Sequence, residues 1–102
     1  MAITLHQEGG LTVLRSELLA PLPHGFSTRP GGVSPAPWDS LNLGPSRGDT
    51  PENVHENYRR FCGVLGLAPE CAVLSQQTHT VNLRRVTAED AGKGLICPRD
   101  YR

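Results

Sequence analysis

His24-Gly-Phe-Ser-Thr-Arg-Pro-Gly-Gly-Val-Ser34, continued by Ser40-Leu-Asn-Leu-Gly44, Gly48-Asp49 and Gln77-Thr-His79, decides how this chain is read. Gly25-Phe-Ser-Thr28 reads as a short strand. From Arg29 to Asp49 the chain is then dominated by Gly, Pro, Ser and Asn, which favour turns over regular structure. A loop of that length inside a compact domain is usually functional or disordered.

The clearest helix follows that loop. Thr50 suits an N-cap, and Pro51 suits the first helical position, where its missing N–H is no loss. Val54, Tyr58, Phe61, Cys62 and Leu65 recur at spacings of three and four and predict one buried stripe. Glu52 and Glu56 toward the start, with Arg59 and Arg60 toward the end, complement the helix dipole. Gly66 reads as the residue that ends the helix, with Pro69 just beyond. Upstream, residues 2–15 predict two short strands about a Gly9-Gly10 turn, with Ile3/Leu5 on one and Leu11/Val13 on the other. Residues 17–23 are apolar but broken by proline and read as a connector. Downstream, Cys71-Ala-Val-Leu74 and the Val81/Leu83 alternation predict one or two strands, with a bend near His79. The tail from Ala91 has no periodicity.

At 102 residues the chain is at most one small domain, and aromatic residues make up only 5%, so its core is thin. Formal net charge is zero and no basic run occurs, which argues against nucleic-acid and anionic-membrane partners. No apolar run approaches the roughly 20 residues of a membrane span. The first residues lack the basic and apolar regions of a signal peptide. Cys62, Cys71 and Cys97 are odd in number and lack CxxC spacing, as expected of reduced thiols in a cytoplasmic protein.

Three residues stand out chemically. Arg29 places a cation beside Gly31 and Gly32, whose backbone can approach a ligand closely, and a phosphate would suit it. A tight turn with a solvated arginine explains the same residues, and the spacing is not that of a Walker or dinucleotide loop. Asn42, between Leu41 and Leu43, can hydrogen-bond a ligand or satisfy neighbouring backbone. His79 can ligate zinc or move protons, and in an extended segment Gln77 shares its face. One histidine is not a metal site, however, and an ordinary surface histidine reads the same. Cys62 belongs to the helix's apolar stripe, and nothing near Cys71 or Cys97 argues for a reactive thiolate.

Taken together, these motifs resemble the laccase-domain family, also called the multicopper polyphenol oxidase-like, YfiH-like or purine nucleoside phosphorylase family. The helix residues Asn53, Val54 and Asn57, Leu65-Gly-Leu67 and the Glu89-to-Leu95 turn share in the likeness, which covers nearly the whole chain from about residue 10. The resemblance implies an α/β class: a three-layer α/β/α sandwich with a mixed sheet, in a domain about twice this length, of which residues 1–102 form the N-terminal portion. It implies phosphorolysis of purine nucleosides, with adenosine deamination, at a zinc site built from a histidine, a cysteine and a second histidine. His79 takes the first of these positions, as metal ligand and catalytic residue, with Arg29 and Asn42 as substrate contacts. The Ala-Asp-Cys and His-Ala-Gly-Trp-Arg-Gly motifs that carry the other ligands do not occur, and Cys97, in Ile-Cys-Pro, does not match. Copper in place of zinc, polyphenol oxidation, editing of peptidoglycan precursors, and an inactive fragment or binding module are the alternatives. The ending Asp-Tyr-Arg102 reads as a cut after arginine in an exposed loop. A half-domain implies open strand edges, hence a dimer or a second chain that completes it.

Overall fold

In the computed structural model, which describes residues 2–45, 47–75 and 79–98, the chain turns first at Gly9-Gly10. Both glycines have positive φ, as a two-residue type I′ hairpin requires. Strand β1 (Ile3–Glu8) therefore pairs antiparallel with β2 (Leu11–Ser16), from Glu8 opposite Leu11 to Ile3 opposite Ser16. The proline-broken connector makes one 3₁₀ turn at Glu17–Leu19. His24 then anchors the chain: its Nε2 accepts the Ser16 N–H at 2.9 Å, and its Nδ1 donates to the Leu22 carbonyl at 2.8 Å. This delivers β3 (Phe26–Ser27) antiparallel to β2, in the order β1-β2-β3. The sheet of the described residues is thus wholly antiparallel.

The register sorts side chains by face. Leu11 and Val13 lie on one face and are buried; Ile3 and Leu5 lie on the other and are exposed. Helix α1 (Pro51–Leu65) covers the first face. It starts where the sequence predicts, with the Thr50 hydroxyl accepting the Asn53 N–H at 3.4 Å, and ends at Gly66 in the left-handed conformation. Its buried residues are Val54, Asn57 and Cys62; Tyr58, Phe61 and Leu65, expected on the buried stripe, are half-buried. Arg59 and Arg60 stop a turn short of the C-terminus and pair with Glu56 instead of complementing the dipole. The core joins Leu11 and Val13 of β2 to Leu41 of the long loop, with Leu43, Phe61 and Val64 packed around them.

The expected strands of residues 71–86 are absent among the described residues. Pro69–Cys71 is a 3₁₀ turn, and Val81 and Leu83 are 95% and 98% exposed. An extended segment becomes a strand only when its N–H and C=O groups meet a partner ladder, and no described strand lies alongside. The tail, patternless in sequence, is tied down. Leu74 N–H donates to the Lys93 carbonyl, Gly92 N–H to the Ala72 carbonyl, and His55 Nε2 to the Leu95 carbonyl. Buried Asp90 accepts from Arg84, Lys93 and the Thr87 N–H. Residues 99–102, and the expectation of a cut after Arg102, lie outside the described residues.

Two glycines give opposite expectations. Gly63 is exposed in α1 and a methyl there meets nothing within 4 Å, so Gly63→Ala should raise stability by about 1 kcal/mol. A methyl on Gly32 would lie 2.1 Å from the Ser40 carbonyl oxygen. Gly32→Ala should lower stability by about 2 kcal/mol or more. Urea denaturation of the two variants checks both signs.

Candidate functional site: a long loop gripped by one helix

The loop between β3 and α1 carries two of the three candidate residues, and α1 holds it by its backbone. Asn57, fully buried, makes the central contacts. Its Oδ1 accepts the Val33 N–H at 2.9 Å; its Nδ2 donates to Ser34 Oγ at 2.9 Å and to the Asn42 carbonyl at 2.8 Å. One amide thereby joins both limbs of the loop. Tyr58 donates its hydroxyl to the Leu43 carbonyl at 2.6 Å, and Arg60 donates to the Gly31 carbonyl at 3.0 Å.

Asp49 closes the loop onto the helix start. Its carboxylate accepts from the Ser34 hydroxyl, from the Thr50 N–H at 2.8 Å, from Asn53 Nδ2 at 3.1 Å and from Asn42 Nδ2 at 3.4 Å. These donors, the Ser34 hydroxyl foremost, hold the Asp49 carboxyl below its ordinary range.

Arg29 turns its backbone inward and its charge outward. Its carbonyl accepts from the N–H groups of Ser40 and Leu41 and from Ser40 Oγ. Its guanidinium, on a side chain 77% exposed, donates from Nε to the Asp39 carbonyl at 3.1 Å and lies 3.6 Å from the Asp39 carboxylate. The neighbouring amides are not turned to a ligand. Gly32 N–H donates to Ser40 Oγ, Val33 N–H to Asn57, and Ser34 N–H to the Ser40 carbonyl. Gly32 lets the loop approach itself, so the group offered to an anion is the guanidinium.

Asn42 sits half-buried between Leu41 and Leu43, which join the core. Its Oδ1 accepts the Gly44 N–H at 3.0 Å and its Nδ2 faces Asp49. His79 takes no part in this network. It is exposed and holds a φ of 56°, the sole described non-glycine residue at positive φ. Such backbone costs on the order of 1 kcal/mol and is enriched at functional positions. Gln77 lies outside the described residues. Among those described, no group of three or more His, Cys, Asp or Glu could hold a metal. Cys62, Cys71 and Cys97 are free thiols, and burial pushes the Cys62 thiol up. Two cavities, of about 560 and 420 Å³, lie beside the hairpin around Arg15, Ser16 and His24; Arg29, Asn42 and His79 line neither.

Ser34, Asp49, Asn53 and Asn57 entered the sequence reading as motif residues and Arg60 as a dipole partner, none of them as a site residue. A signal for them was there: Asn53, Asn57 and Arg60 recur at i, i+4 and i+7, a polar stripe beside the apolar one.

The network has an acid signature. Asp49, Glu56 (to about 2, by Arg59 and then Arg60) and Asp90 (by Lys93, the Thr87 N–H and Arg84) all have folded pKa values below their ordinary ones. Their stabilisation is complete above the unfolded carboxylate range and lost as pH falls from about 4 through the folded values. The urea midpoint should therefore drop steeply below about pH 4, and Asp49→Asn should flatten that slope.

A family model described as multi-copper polyphenol oxidoreductase laccase matches residues 23–100. A purine nucleoside phosphorylase of Deinococcus radiodurans is 40% identical over 85 residues, covering 83% of this chain and 33% of the relative. The purine nucleoside phosphorylase YfiH of Escherichia coli is 44% identical over 63 residues, covering 62% of this chain and 26% of the relative. The crystal structure of YlmD from Geobacillus stearothermophilus superposes with a TM-score of 0.80 at 32% identity, covering 92% of this chain and 35% of that one. The matched stretch spans about a third of the length of these relatives.

Proposed function

The chain belongs to the multi-copper polyphenol oxidoreductase laccase family, and from that premise we propose that it forms part of a purine nucleoside phosphorylase, as one portion of a single laccase-like domain. The observation that supports this most is the 40% identity to the Deinococcus phosphorylase across 83% of the chain. Purine nucleoside and phosphate are the substrates. In phosphorolysis a phosphate oxygen bonds to ribose C1′ as the bond from C1′ to the purine nitrogen breaks, and the base leaves with a proton.

Arg29 binds the phosphate: its guanidinium is exposed and its partner pair with Asp39 is loose, so an incoming phosphate can replace it at little cost. Asn42 holds the same wall in shape through its turn onto Gly44 and offers its remaining hydrogen-bonding capacity to the nucleoside. His79 serves as a catalytic group and one metal ligand, zinc being the metal. A catalytic zinc takes three protein ligands, and the described residues do not supply three together. The described residues do not hold a metal by themselves. The other ligands, and an associated adenosine deaminase activity, belong to the remainder of a full-length domain.

The family description favours copper and polyphenol oxidation as a second reading. A cytoplasmic location fits the free thiols. No described helix is long and apolar enough to cross a membrane.

The test is hypoxanthine release from inosine by the protein in the length its gene encodes. Release should depend on phosphate. Arg29→Ala should raise the phosphate KM about tenfold with kcat nearly unchanged. Release without phosphate, or copper-dependent oxidation of a polyphenol with no hypoxanthine, would overturn the reading.

A further inference from the structure

The loop between β3 and α1 holds the chain's one tryptophan, and the core does not use it. Trp38 is half-buried and takes no part in the cluster around Leu11, Val13 and Leu41. Its indole is nonetheless fixed. Nε1–H donates to the Arg47 carbonyl at 3.0 Å, and the backbone N–H donates to the Pro35 carbonyl at 2.9 Å. Cζ2 lies against Gly48, 3.4 Å from where a methyl on that glycine would stand.

A buried indole removes a large apolar area from water, and this residue forgoes much of that gain. A ring held still and left partly in water offers its face to a ligand at little ordering cost. It also has a cation for a neighbour. Arg29 donates from Nε to the carbonyl of Asp39, the residue after Trp38, and its guanidinium lies 3.6 Å from the Asp39 carboxylate. Asn42 joins the patch from the other side. Arg47 Cγ and Asn42 Oδ1 both flank Gly44, at 2.7 and 3.4 Å from where a methyl on it would stand. In phosphorolysis the departing base and the attacking phosphate share one ribose carbon, so the groups that bind them must lie about a sugar's width apart. A ring and a cation on neighbouring turns of one loop meet that condition.

We propose that Trp38 is the platform on which the purine base stacks, beside the Arg29 phosphate contact. The identity of the base rests on the phosphorylase reading; the platform itself is read from the loop. Stacking engages the π-face of a base and tolerates changes at its edge. Inosine, guanosine and adenosine differ only at the purine edge, so this residue holds all three alike.

The test uses the protein in the length its gene encodes. Trp38→Ala should raise the inosine KM about tenfold and leave the phosphate KM within about twofold. Trp38→Phe keeps a ring but loses the N–H that meets Arg47, and should bring the inosine KM back to within about threefold of the unaltered protein. A residue that only braced the loop through that N–H would fail in both variants. Binding is read without turnover from the tryptophan emission that Trp38→Phe removes: inosine should quench it, and ribose should not. The proposal is overturned if Trp38→Ala leaves the inosine KM unchanged, if the Phe variant behaves as the Ala variant, or if inosine leaves the Trp38 emission unquenched. Hypoxanthine release with an unquenched Trp38 overturns the platform alone. Quenching without hypoxanthine release upholds the platform and removes the phosphorylase reading.

Discussion

The carboxamide of Asn57 is the contact on which the rest of this structure depends. Buried beneath a loop with almost no regular structure, it satisfies an N–H and a hydroxyl on one limb of that loop and a carbonyl on the other. Asn57 and Ser34 are shielded from water, and a buried donor or acceptor left unpaired costs about 1–3 kcal/mol. The helix's bounds are set by its own residues, the Thr50 cap, the Pro51 start and the Gly66 stop. The loop's path is thereby tied to a regular element.

The functional consequence is division of labour within one loop. Leu41 and Leu43 anchor it in the core, Asn42 and Asp49 close its turns, and Gly32 permits two strands of backbone to touch. What remains facing outward is the Arg29 guanidinium, held over the surface by a carbonyl and a distant carboxylate. A cation fixed in direction but weakly paired is suited to an anionic ligand, because little must be broken before it binds. His79 stands apart from this loop, in the left-handed conformation.

Elements specified by their own residues were legible. Gly9-Gly10 announced the hairpin, and Thr50, Pro51 and Gly66 bounded the helix. Contacts specified by distant residues were not. Asn57 meets Val33 from 24 positions away and Asn42 from 15, and nothing local to either says so. The two glycines after Arg29 correctly signalled a close approach of backbone, but whether to a ligand or to the chain's own Ser40 is a tertiary fact. Alternation at Val81 and Leu83 misled for a related reason: a pattern can suit a strand without any partner to make one. Alternation also said nothing about which face of the hairpin was covered, since Ile3 and Val13 look equally apolar in sequence.

Amide hydrogen exchange tests most directly whether the helix orders the loop. If Asn57 ties both limbs to α1, the N–H groups of Val33, Ser34 and Leu41 should be protected to within about tenfold of the interior amides of α1, opening only when the helix does. In Asn57→Ala the same loop amides should lose that protection while the helix keeps its own. Loop amides that exchange hundreds of times faster than the helix in the unaltered protein would contradict the account, because the loop would then open on its own.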